Sequence, residues 1–262
     1  MSSITRSRRA TVGGFLSIFA LGALGVCAFV LTTDRTIFVD ASEATGIPVA
    51  VLLAVTTLQS LVLVAVATAV GLWCAPRVGL RSHLLDWARS GATGATDGLR
   101  AEFRPALAGG VAGGLLLLAL GVVAPTPASD APALVGDGLG SLPARLLYGG
   151  LTEEILLRWG VLSLVAWLLC RAAGTGRLTA RLGWTAVAVS AGLFAAGHLP
   201  AAATTYGALT PGVVGYVLVG NTLAGTLFGW LYWRYSLEAA MAAHAGAHLV
   251  AVLVAVGLAP LL

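Results

Sequence analysis

Seven apolar runs decide what this chain can fold into. They lie near residues 11–32, 47–74, 106–123, 143–170, 183–199, 213–234 and 237–258. About 20 apolar residues cross a bilayer as a helix, and in lipid a backbone must satisfy its own N–H and C=O groups. The sequence therefore predicts an all-α, polytopic transmembrane helix bundle of about seven membrane helices. An eighth fits if the weakly polar stretch between span five and Pro211 re-enters the bilayer. The 143–170 run is longer than a bilayer needs, so tilt or a bend is expected there.

Composition agrees. Of 262 residues, 58% are hydrophobic and only 10% charged, against about 25% charged in soluble domains. That excludes an ordinary soluble domain, a disordered chain and a disulfide scaffold. Cys27, Cys74 and Cys170 sit in or beside apolar runs without CxxC pairing and read as small buried hydrophobes. All 15 basic residues are arginine. They form no aromatic-interleaved stripe, so nucleic acid is not an expected partner; the lipid bilayer is.

The arginines set an orientation instead. Arg6, Arg8 and Arg9 precede span one. Arg77, Arg81, Arg89, Arg100 and Arg104 separate spans two and three. Arg171, Arg177 and Arg181 follow span four, and Arg234 follows span six. With seven spans all of these share one side, while the opposite loops hold Arg35 with Asp34, Asp40, Glu43, Asp130 and Asp137. The positive-inside rule then predicts a multi-pass protein of the cell membrane with a cytoplasmic N-terminus. The 76–105 segment reads as the one long polar loop, either plain or folded as an amphipathic surface helix. Gly109/Gly113, Gly110/Gly114 and Gly225/Gly229 have the spacing that lets helices approach closely.

Ionisable groups in a span cost several kcal/mol unless paired or facing a polar cavity. Span four carries Glu153, Glu154 and Arg158, and spans five and seven carry His198, His244 and His248. Glu154 and Arg158, at i and i+4, share a helix face and read as a buried ion pair. Glu153 points about 100° away and has no local partner. His244 and His248, also i and i+4, can present two imidazoles to one point. Asn221 on span six reads as a packing hydrogen-bonder within reach of the same cavity. His83 lies in the polar loop and receives no role. Counted along straight helices, Glu153, His198 and His244 differ in depth by roughly 10 Å or more, so convergence needs tilt, a broken helix or shifted span ends.

In these elements the chain resembles the CPBP family of intramembrane proteases, which includes CAAX prenyl endopeptidases and bacteriocin-processing or Abi proteins. The matching elements are Glu153-Glu154-Ile155-Leu156-Leu157-Arg158, Phe194-Ala195-Ala196-Gly197-His198 and His244-Ala245-Gly246-Ala247-His248, together with Gly225 to Tyr232 and Ser236-Leu237. The likeness covers about residues 143–255. It divides the chain into an N-terminal three-span segment, 1–142, and a CPBP-like core, 143–258. It implies an intramembrane metalloprotease, an endopeptidase acting on a membrane-associated peptide or protein. Glu153 and His198 would activate a water, His244 would stabilise the oxyanion or help hold a metal, and Glu154 and Arg158 would support the glutamate helix. The family commonly has Asn where this chain has His248. A neutral imidazole can donate to an oxyanion or bind zinc, so Glu153, His198, His244 and His248 form a candidate zinc set; a metal-free glutamate/histidine scheme also works, but a metal is favoured because it would offset the charge of Glu153 in lipid. Rival readings are a non-catalytic immunity or binding protein of the same family, and a Glu/His proton-coupled transporter, for which no repeat speaks.

Overall fold

The computed structural model describes residues 3–90, 92–126 and 140–258; Asp130 and Asp137 lie outside them. Among the described residues there is no strand, and seven helices are long and apolar enough to cross a membrane. In chain order the helices are α1 (Ser3–Thr32), α2 (Thr36–Thr45), α3 (Val49–Val78), α4 (His83–Ser90), α5 (Ala92–Val122), α6 (Leu142–Ala172), α7 (Ala180–Gly197), α8 (Leu199–Tyr206), α9 (Pro211–Arg234) and α10 (Leu237–Leu258).

Local chemistry sets several ends. Gly79, at φ +83°, stops α3 in a left-handed turn that side chains avoid, and its N–H bonds the Ala75 carbonyl. Thr179 and Thr210 cap α7 and α9 by accepting from Leu182 N and Val213 N, each at 3.3 Å. Pro211 opens α9, where a missing N–H costs nothing.

Helix α6 is not wound uniformly. Arg145–Glu153 and Ile155–Leu162 are π-helical, and Ser163–Ala172 returns to the α form. The long fourth run is thus irregular in its winding, and π segments recur at functional sites. α6 is also the centre of the bundle. Trp159 Nε1 donates to the Thr68 carbonyl of α3 (3.2 Å), Thr152 Oγ1 to Gly22 O of α1 (2.8 Å), and Ser190 Oγ of α7 to Leu157 O (2.9 Å). Ser163 Oγ shares a 2.7 Å bond with Tyr232 of α9. One buried apolar core runs from Ile18 and Val64 in the first spans to Phe228 and Ala247 in the last, so the two proposed segments share it.

The glycine pairs face helices. Gly110 approaches the Gly246 backbone of α10, Gly113 faces Ala247, and Gly225 and Gly229 face Ala191 and Val187 of α7. Cys74 and Cys170 are buried, but Cys27 is exposed on the outside of the bundle, against the expectation for it.

Two expectations need correction. The 76–105 segment is not a long loop: α3 runs to Val78, α4 occupies 83–90, and α5 begins at Ala92. Hydropathy locates only the lipid-facing part of a helix, and α5 continues for several turns beyond it into polar sequence. α8, at eight residues, is too short to span, so the stretch before Pro211 adds no eighth crossing.

His83 needs correction as well. It is buried, and its Nε2 lies 3.0 Å from Glu102 of α5. Ser236 also donates to Glu102 Oε2. Glu238, in the first turn of α10, accepts from the backbone N–H groups of His83 (2.9 Å) and Leu84 (3.0 Å) and from Ser82 Oγ (2.6 Å). A carboxylate from α10 thus caps the start of α4, where orphan N–H groups and the helix dipole favour negative charge.

Candidate active site

Glu153, His198, Asn221, His244 and His248 line one cavity of about 250 Å³, with Arg145, Tyr148, Phe194 and Phe228 among its walls. The depth conflict shrinks because the spans end elsewhere than hydropathy placed them. Span five extends to Tyr206, span four starts at Leu142 and span seven ends at Gly257. Measured from the same end of the bundle, His198 is then eight residues in, His248 nine, Glu153 eleven and His244 thirteen. The cavity sits near mid-span. Its lining residues Phe29, Leu117, Ala144 and Arg145 lie toward the end that carries Arg35, opposite the connections bearing Arg81, Arg177 and Arg234.

Close approach of α6 and α10 depends on two glycines. A Cβ on Gly149 would lie 3.0 Å from His248 Nε2, and one on Gly150 would lie 2.7 Å from the Ala245 Cβ. Any side chain there would push the histidine helix off the glutamate helix.

Glu153 and His198 face each other across the cavity at 3.9 Å, Oε1 to Nε2, with side chains 18% and 35% exposed. That is too long for a direct hydrogen bond and suits a bridging water. His198 Nδ1 is 2.9 Å from the Phe194 carbonyl. A carbonyl only accepts, so Nδ1 carries a proton, and in its neutral tautomer the ring turns its Nε2 lone pair to the cavity. In that form two acceptors, a carboxylate and an imidazole nitrogen, confront each other. The molecule that satisfies both is one that donates twice, as water does.

Glu154 stands behind this pair. It is fully buried and absent from the cavity lining. Its Oε1 lies 3.1 Å from Arg158 Nη1 and 2.8 Å from His244 Nδ1. The i,i+4 ion pair read from the sequence is present, and it continues to a histidine on another helix. The carboxylate accepts from Nδ1, which leaves His244 Nε2 for the cavity and fixes the ring as a carboxylate fixes a histidine ligand. His244 is further held between Phe228 (4.3 Å between centroids, stacked) and His248 (5.1 Å). Arg158 lies over the Phe194 ring and donates to Gly225 O (3.3 Å). Asn221 Nδ2 bonds its own helix at Val217 O (2.9 Å) while lining the cavity.

Sequence reasoning missed Arg145 and Tyr148 as cavity residues. Their only signal was position: they lie eight and five residues before Glu153 on the same helix. Arg145 Nε donates to Ser141 Oγ at 2.9 Å, which holds a cation at the rim. The zinc set behaves differently. Its four residues share the cavity, but no three His, Cys, Asp or Glu side chains among the described residues are arranged to hold an ion together.

The class is thus a polytopic helical membrane protein with an acid–imidazole cavity buried between its spans. Residues 137–250 match the family model of the type II CAAX prenyl endopeptidase Rce1-like proteins. Over this stretch the chain is similar to that family, which is a family of proteases. No curated protein and no solved structure matches the chain.

Proposed function

We propose that this protein is an intramembrane endopeptidase that hydrolyses a peptide bond of a membrane-associated peptide or protein. The observation that carries the reading is the pair of acceptors, Glu153 and His198, set 3.9 Å apart across one cavity. A water between them donates one hydrogen to each. Glu153 removes a proton as the water oxygen attacks the scissile carbonyl carbon. The oxyanion is met by an N–H of His248 with the Asn221 amide beside it, whereas His244, whose Nδ1 proton goes to Glu154, donates there from Nε2 only as an imidazolium. Glu153 then returns its proton to the leaving amine, the C–N bond breaks, and acid and amine products depart. Glu154 and Arg158 do not touch the substrate; they hold His244.

The cavity, at about 250 Å³, is below the roughly 300–1,000 Å³ of small-molecule sites. It admits the reacting segment of a chain, while the rest lies along the bundle. Cleavage of a membrane-anchored fluorogenic peptide by purified protein, with Glu153→Gln and His198→Ala as controls, tests the reading. Equal turnover in all three proteins ends it.

The steps above use the chain's own groups alone; Glu153, His198, His244 and His248, which line the same cavity, are the residues that would hold an ion. Prolonged dialysis against a strong chelator is expected to leave turnover within about twofold. Loss of activity that zinc restores would show that the cavity residues regroup around an ion. The arginine bias places the N-terminus in the cytoplasm in this reading and turns the cavity rim to the opposite face. An Ala144→Cys variant is then expected to react with a membrane-impermeant maleimide in intact cells; labelling only after permeabilisation would reverse the orientation.

A further inference from the structure

A second cavity lies at the arginine-bearing end of the bundle, far along α1 and α3 from the site above. Its volume is about 560 Å³, and its lining is Thr11, Val12 and Phe15 of α1, Ala69, Leu72, Trp73 and Arg77 of α3, and Arg89 of α4. The composition changes along its length. The α1 and α3 positions form an apolar trough on the outer surface of the bundle, where Val12 is 53% and Trp73 46% exposed. The two guanidinium groups stand at its end, and no acidic side chain is in the lining. Arg77 is fixed in place: its Cζ lies 4.4 Å from the Trp73 ring centre, and Nη1 donates to the Trp73 carbonyl. A guanidinium has five N–H donors, so this anchoring orients the group without exhausting it. Trp73 is itself held by Trp167, at 4.6 Å between centroids.

We propose that this groove binds one anionic phospholipid, with an acyl chain along Val12, Phe15 and Leu72 and the phosphate between Arg77 and Arg89. Three features select that occupant. The trough is apolar and faces where the bilayer must be. The charge lies at one end only, as in a headgroup and tail. The lining is doubly cationic, which favours a net negative headgroup over a zwitterionic one. Tryptophan at the boundary between the two parts is the residue type enriched at membrane interfaces.

Quenching of tryptophan fluorescence by brominated lipid tests this on the intact protein in detergent micelles. Brominated phosphatidylglycerol is expected to quench saturably and at a lower mole fraction than brominated phosphatidylcholine, and Trp73→Phe is expected to remove the saturable part. At roughly 1 kcal/mol per arginine, Arg77→Gln with Arg89→Gln should raise the half-saturating mole fraction about thirtyfold. Arg100→Gln with Arg104→Gln, on exposed α5 positions outside the groove, should leave it unchanged. Unfolding temperature in phosphatidylcholine alone reports whether each variant is folded. For the wild type, phosphatidylglycerol should raise that temperature and inorganic phosphate should not. Equal quenching by the two lipids, equal loss in both arginine pairs, or a phosphate shift matching that of phosphatidylglycerol would each overturn the proposal.

Discussion

Glu153→Gln is expected to lower kcat by about 10²–10⁴-fold with KM within a few-fold of wild type. The amide keeps the shape of the carboxylate and its place opposite His198, so the fold and substrate contacts persist. What it loses is the ability to take a proton from water and return it to the leaving amine, a contribution of that size in general acid–base catalysis. The split between kcat and KM is what matters. A mutation that only loosened the cavity would disturb both, whereas one that removes transition-state chemistry falls mainly on kcat. Steady-state kinetics on a membrane-anchored peptide, with unfolding temperature recorded for each protein, separates the cases. A variant that retains full kcat would transfer the base role away from Glu153 and remove the central step of the proposed reaction.

Arg158→Met is expected to cost about 3–5 kcal/mol of stability, the usual penalty for breaking a buried pair from one side. Arg158 and Glu154 have side chains 1% and 0% exposed. Glu154 Oε2 already has no hydrogen-bond partner among the described residues. Without the guanidinium, the carboxylate keeps His244 alone as a counter-group in an apolar interior. The double variant Glu154→Gln, Arg158→Met should recover most of the lost stability, because it leaves no buried charge. It should not recover activity in proportion, since an amide holds the imidazole of His244 less firmly than a carboxylate. Unfolding in detergent and peptide turnover, measured on the same three proteins, decide this. A single variant as stable as wild type would mean that the pair contributes nothing to the bundle.

The parts of this architecture visible in the sequence are those governed by short-range periodicity. Apolar run length gave the seven crossings, and i,i+4 spacing gave the Glu154–Arg158 pair and placed His244 and His248 together. The motif order indicated that residues from α6, α7 and α10 belong together. Three things were hidden. The true start of α5 was hidden because its first turns are polar and helix formation there leaves no hydropathy mark. The π winding of α6 was hidden because a change from i+4 to i+5 bonding follows from packing against α1, α3 and α7, and not from composition. The His83–Glu102 and Ser82–Glu238 contacts were hidden because they join residues 19 and 156 positions apart. A histidine in an apparently polar loop looks solvated until another helix closes over it.

The cap that Glu238 places on α4 bears on how the chain can be shortened. The family match begins at residue 137, which invites excision of that stretch as a portable catalytic cassette. Such a cassette would carry α10 with its histidines but leave Glu238 and Ser236 stripped of Ser82, His83 and Glu102. It would also strip Thr152 of its acceptor on Gly22. The first three spans, with α4 between them, therefore serve as a jig for the acid–imidazole cavity, and grafting experiments must transplant them along with it.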